Sequence, residues 1–110
     1  MYTKEVRYMR ILIMFDLPTE TKFDKKEYIN FRRSIVNDGY DMIQYSVYQR
    51  LCSNLDQVNK YLRRLEQYKP KAGSVRAITV TNKQYEDTLF LVGKKTKQEK
   101  YRNIENFTLF

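Results

Sequence analysis

Residues 8–15, Tyr-Met-Arg-Ile-Leu-Ile-Met-Phe, are apolar on both alternating faces and run straight into Asp16-Leu17-Pro18. A run of this kind is a central strand, covered on both sides. Proline cannot continue a ladder, so the strand stops there and Asp16 sits on the rim of a sheet. The chain carries 21 Lys and Arg against 13 Asp and Glu, and it has no histidine. A rim carboxylate in such a protein suggests a metal held against a phosphate backbone. The alternative is structural: an aspartate just before Leu-Pro also caps a turn. Both stay open at this level.

The chain has 110 residues, the length of one domain. A domain this small leaves roughly a third of its unfolded-state surface in water, so a second copy is a natural source of further burial. A net charge of +8 points to phosphate-rich partners. A Lys-rich surface that serves solubility, or an acidic membrane, are the alternatives. A single cysteine, Cys52, forms no internal disulfide and suits a reducing compartment, here the cytoplasm. Without histidine the commonest general base is missing, which excludes zinc-histidine sites and Ser-His or Cys-His chemistry. No apolar run reaches the ~20 residues of a membrane span. Residues 1–7 are polar and lack the apolar centre of a signal peptide. Ten Tyr and six Phe are able to stack on bases, but at strand and helix positions they are expected to fill a core.

Thr21 with Asp24 makes a capping box. Tyr28, Phe31 and Ile35 follow at helical spacing, and Asn37-Asp38-Gly39 stops the helix. Residues 42–51 alternate, with Ile43, Tyr45, Val47 and Leu51 on one face and Gln44, Ser46, Tyr48 and Arg50 on the other. They form either one bent strand or a very tight hairpin, with no Gly or Pro to mark the turn. Ser53 with Asp56 repeats the capping signal. Leu55, Val58, Leu62 and Leu65 make the stripe of a second helix that runs to about Tyr68 and is closed by Pro70 and Gly73. Residues 75–80 and 88–92 read as strands, joined by a polar stretch suited to one helical turn. Residues 94–102 are basic, and residues 104–110 regain strand character with Phe107, Leu109 and Phe110. Two units are expected: a domain over 1–93 with a short N-terminal extension, and a basic arm with a terminal strand over 94–110. Two amphipathic helices over a mainly antiparallel sheet make an α+β two-layer sandwich, and a hairpin in 42–51 makes it ferredoxin-like, βαββαβ.

Three segments carry a family resemblance. They are Met9-Arg10-Ile11-Leu12-Ile13-Met14-Phe15-Asp16-Leu17-Pro18, Ile43-Gln44-Tyr45-Ser46-Val47-Tyr48 and Thr81-Asn82-Lys83-Gln84-Tyr85. In this order and spacing they resemble the CRISPR-associated protein two family, the small dimeric partner of the CRISPR integrase in spacer acquisition. The resemblance implies a ferredoxin-like protomer and a homodimer with facing sheets. It also implies a C-terminal strand, 104–110, swapped onto the partner's sheet. It maps the family's first-strand acid onto Asp16, which becomes both catalytic residue and ligand of Mg²⁺ or another divalent cation. One carboxylate per chain is a poor metal site; two brought together by a two-fold axis make a credible one. Met42 departs from the family, many of whose members carry a basic residue there. Arg32 and Arg33 are candidates to replace it, although a solvated helix face explains them equally well. Ser46 is expected to pack or hydrogen-bond rather than act as a nucleophile, since no base is at hand.

Two roles follow from the resemblance. In the first, the dimer bridges integrase dimers and supports duplex DNA. Phosphates would then be bound, without sequence readout, by Arg32, Arg33, Lys60, Arg63, Arg64, Lys94, Lys95 and Lys97. In the second, Asp16 from each protomer serves a metal-dependent endonuclease acting on RNA or DNA. The alternatives outside this family are a toxin-type metal-dependent ribonuclease and a ferredoxin-like regulatory module that binds no nucleic acid.

Overall fold

The structure, a computed structural model, describes residues 7–95. Strand β1 (Met9–Asp16) leads to helix α1 (Lys22–Asn37), then β2 (Asp41–Gln44), β3 (Val47–Cys52), α2 (Leu55–Tyr68), β4 (Ser74–Thr81) and a short α3 (Asn82–Glu86). The sheet has the order β2-β3-β1-β4, with every neighbouring pair antiparallel. This is an α+β fold with one four-stranded antiparallel sheet and two main helices, and its strand order agrees with the ferredoxin-like expectation. None of the helices among the described residues is long and apolar enough to cross a membrane.

Local signals account for the helices. The Thr21 hydroxyl accepts the Asp24 N–H, and the Asp24 carboxylate accepts the Thr21 N–H in return. Gly39 follows α1 at φ +93°, a left-handed conformation that ends the helix at little cost only for glycine. Helix α2 begins one residue later than expected. Its cap is Asn54, whose side chain accepts the Gln57 N–H, while the Ser53 N–H bonds the Gln57 side chain. Leu55 consequently lies in the first turn and is exposed, so the buried stripe of α2 comprises Val58 and Leu65 with Leu62 packed beside them.

Residues 42–51 resolve into the hairpin. Tyr45 and Ser46 form a two-residue turn between β2 and β3, and Ser46 takes φ +61° in place of the glycine that usually marks such turns. The face assignment is corrected by the register. Tyr48 lies opposite Ile13 and is buried under the helices, whereas Val47 and Leu51 lie opposite Met14 and Arg10 on the other face. Tyr48 belongs to the core because its ring packs 5.7 Å from that of Phe15, itself edge-on to Phe31 at 5.2 Å. Ile11, Ile13, Phe15, Phe31, Ile35, Tyr40, Cys52, Val58 and Leu65 complete this core between sheet and helices.

The expected strand over 88–92 is not formed. Leu89, Leu91 and Val92 are exposed, Val92 to 94%. β-propensity alone does not make a strand; a ladder partner is needed. Residues 96–110, with Lys97 and the expected terminal strand, lie outside the described residues.

Candidate active site on the rim of the sheet

The open face of the sheet, away from α1 and α2, is built in rows by the register. Leu51, Arg10 and Val80 form one row, Gln49, Leu12 and Ile78 the next, then Val47, Met14 and Arg76, and finally Asp16 beside Ser74. Helix α3 folds back over the first rows. There Arg10, only 1% exposed, donates from Nε to Asn82 Oδ1 and from Nη1 to Gln49 Oε1, both at 2.7 Å. Its guanidinium also lies 4.4 Å from the Tyr85 ring centroid. Beyond this clamp nothing described covers the face: Met14 and Ile78 are exposed, Ile78 to 49%.

Asp16 ends this uncovered strip. Its backbone is held from both sides, by pairing with Ser74 and by the hairpin turn, whose Ser46 carbonyl accepts the N–H of Phe15 at 3.0 Å. Gly73 passes so close that a Cβ there would lie 2.6 Å from the Asp16 carbonyl oxygen, and its φ of +91° further favours glycine. The Asp16 side chain is exposed, and among the described residues no donor bonds its carboxylate, so the turn-capping alternative finds no bond here. Among the described residues no cluster of three or more His, Cys, Asp or Glu is placed to hold a metal. A single protomer therefore offers one hard oxygen donor group where a divalent cation needs more.

A tyrosine cluster flanks the rim on the helix side. Tyr28 from α1 packs edge-on against Phe15 at 6.2 Å. Burial, then a hydrogen bond with Tyr45, push the Tyr28 hydroxyl up; a bond with the Ser46 hydroxyl opposes them. Arg32 donates from Nε to the Tyr48 hydroxyl at 3.1 Å, which raises its own pKa further. Tyr48 is the cross-strand partner of Met42, so Arg32 reaches the neighbourhood where Met42 supplies no charge.

The profile of the family described as CRISPR associated protein Cas2 matches residues 9–88. The chain belongs to the Cas2 family. Proteins named CRISPR-associated endoribonuclease Cas2 are similar along most of its length. That of Acidovorax ebreus is 47% identical over 102 residues, covering 93% of this chain and 100% of the relative. That of Ligilactobacillus salivarius is 47% identical over 90 residues, 82% and 89% of the two chains. That of Campylobacter jejuni is 38% identical over 106 residues, 96% and 74%.

Within this Cas2 fold the basic candidates do not converge on Asp16. Arg32 and Arg33 lie on α1, Lys60, Arg63 and Arg64 on α2, all in the helical layer on the opposite side of the sheet. Lys94 and Lys95 end the described chain. Arg64 is committed elsewhere: its Nε and Nη2 bond the two oxygens of Asp38 at 2.8 and 2.7 Å. Sequence reasoning missed the Arg10 clamp and the Tyr45 position. A charged residue inside the apolar run was the available signal for the first; the Thr81-Asn82-Lys83-Gln84-Tyr85 segment supplies its partners.

Proposed function

We propose that this Cas2 chain acts in CRISPR adaptation as a homodimer, with Asp16 from each protomer as a metal-dependent endonuclease centre acting on RNA or DNA. The observation that carries it is the uncovered strip Leu12, Met14 and Ile78, which leads along β1 to an exposed, unbonded carboxylate at the rim. Apolar side chains on a flat sheet face favour a second copy, and a two-fold axis through such a face supplies the second carboxylate that one protomer lacks. The fit to a hard cation such as Mg²⁺ is supported by the donor type, since carboxylate oxygens suit it and nothing softer stands nearby. When bound, the metal supplies positive charge at a phosphodiester and a more acidic water, chemistry that needs no histidine. The name endoribonuclease, carried by the relatives, agrees with this chemistry.

The scaffold role is the biological one we favour. The helical layer presents Arg33, Lys60 and Arg63 to solvent, suited to duplex phosphates, while integrase dimers are bridged by the two ends of the dimer. Residues 94–110 then form a basic arm and a strand that adds to the partner's sheet. The unpaired outer edge of β4 and the exposed apolar residues 89–92 support an exchange of strands between protomers. The single, buried Cys52 suits work in the cytoplasm.

Asp16→Ala tests both roles. Metal-dependent cleavage is expected to vanish, while dimerisation, duplex binding and spacer acquisition persist. Cleavage that survives the substitution removes Asp16 from the nuclease role. Acquisition that fails while dimer and DNA binding persist removes the pure scaffold.

A further inference from the structure

Tyr45 is the most exposed aromatic ring in the described chain, at 80%, and it does not sit on a mobile tail. It occupies the first position of the two-residue β2–β3 turn, and that turn is fastened at three points. Its Ser46 carbonyl accepts the Phe15 N–H. Val47 and Gln44 pair directly behind it. The Tyr28 hydroxyl holds the Tyr45 side chain from α1. An aromatic side chain left in water at this cost in hydrophobic exposure, yet fixed in orientation, is a platform awaiting a flat partner. Its place along the sheet is specific. The turn is bonded to the residue immediately before Asp16, so ring and carboxylate stand on the two sides of one rim. Arg32 adds a cation on the ring side, anchored through Tyr48.

We propose that Tyr45 is a base-stacking residue, and that the rim accepts single-stranded RNA with one unpaired base on the Tyr45 ring and the adjoining backbone over Asp16. This rests on Asp16 as the reacting centre proposed above. It adds a substrate determinant, because a ring at a narrow turn engages the face of a base only when that base is unstacked, as in single strands and not within a duplex. Stacking tolerates any base, so the preference is for strandedness rather than sequence.

Binding without metal separates this from catalysis. Single-stranded RNA carrying 2-aminopurine is titrated with the dimer in EDTA, using wild type, Tyr45→Ala, Tyr45→Phe and Asp16→Ala. Tyr45→Ala is expected to weaken single-strand binding on the order of tenfold or more and to abolish the quenching of 2-aminopurine that stacking produces. Tyr45→Phe keeps the ring and should stay within about twofold, with quenching intact. Duplex binding should be the same in all variants. The proposal is overturned if Tyr45→Ala binds the single strand as wild type does, or if it weakens duplex equally. It is also overturned if Tyr45→Phe loses as much as Tyr45→Ala, or if Tyr45→Ala dissociates the dimer, which would make the ring a protein contact. Failure of the Asp16 assignment reads out separately, as cleavage retained by Asp16→Ala, and leaves the binding comparison to judge Tyr45.

Discussion

Asp38 ties the helical layer to the sheet. It caps α1, yet its carboxylate points away from that helix and accepts two bonds from Arg64 of α2 and one from the Tyr68 hydroxyl at 3.0 Å. Its carbonyl accepts Arg50 Nε from β3 at 2.7 Å. The hydrogen bonds from Arg64 hold the Asp38 carboxyl below its usual range, reinforced by Tyr68 and opposed by burial. The folded state thus binds the Asp38 proton more weakly than the unfolded chain. The resulting stability is fully present above the unfolded pKa of about 3.9 and is lost as pH falls through the lower folded value. Asp38→Asn is expected to cost about 2–3 kcal/mol near neutral pH, because Arg64 loses its charged partner and bidentate geometry. The loss should shrink below about pH 4, where wild type forfeits the same contribution. Urea midpoints of both proteins across that range check this; parallel curves would remove Asp38 from acid stability.

Arg10 plays the corresponding part between elements. It joins the middle strand to Gln49 of β3 and to Asn82 of α3, and Gln49 passes the chain of contacts on to Asp41 of β2 at 3.4 Å. Helix α3 is only five residues long, too short to persist alone, and has a Thr81–Gln84 capping box at its start. It stays because Arg10 and Tyr85 dock it on the open sheet face. Arg10→Ala leaves buried amide oxygens without a donor, so a loss of about 3 kcal/mol or more is expected, read by thermal or urea unfolding. Hydrogen exchange should show α3 opening first. If α3 stays as protected as in wild type, the clamp is not what holds it. The segment 88–92 shows the converse. It has the β-branched and apolar composition of a strand but no ladder partner among the described residues, so it runs exposed.

For the whole molecule the open sheet face is decisive. A 110-residue domain that leaves Met14 and Ile78 in water has an interface to fill, and the fold directs that interface to Asp16. Met14→Glu with Ile78→Glu is expected to give a folded monomer by sedimentation velocity. The mechanism is desolvated like charge on a flat apolar strip, worth several kcal/mol against association. Circular dichroism should be unchanged, since both side chains are already exposed. Metal-dependent cleavage should fall with the dimer. A dimer that survives both charges would move the interface away from this face and leave each Asp16 alone.

The central strand, both main helices, the helical turn at Thr81 and the acid at the rim were all legible in the chain. They rest on signals that span a few residues: apolar period, capping boxes, a proline after an acid. The hairpin was half legible, because Tyr45-Ser46 takes the turn without glycine and gives no local sign. The face of Tyr48, the burial of Arg10 and the pairing of Arg64 with Asp38 were not. Each depends on a partner far along the chain, Arg10 and Asn82 standing 72 residues apart. A charged side chain is read as exposed unless its partner is known, since only a complete set of hydrogen bonds makes its burial tolerable. Periodicity tells that a strand has two faces; which face meets the helices is chosen by the register and by the aromatic packing around Phe15.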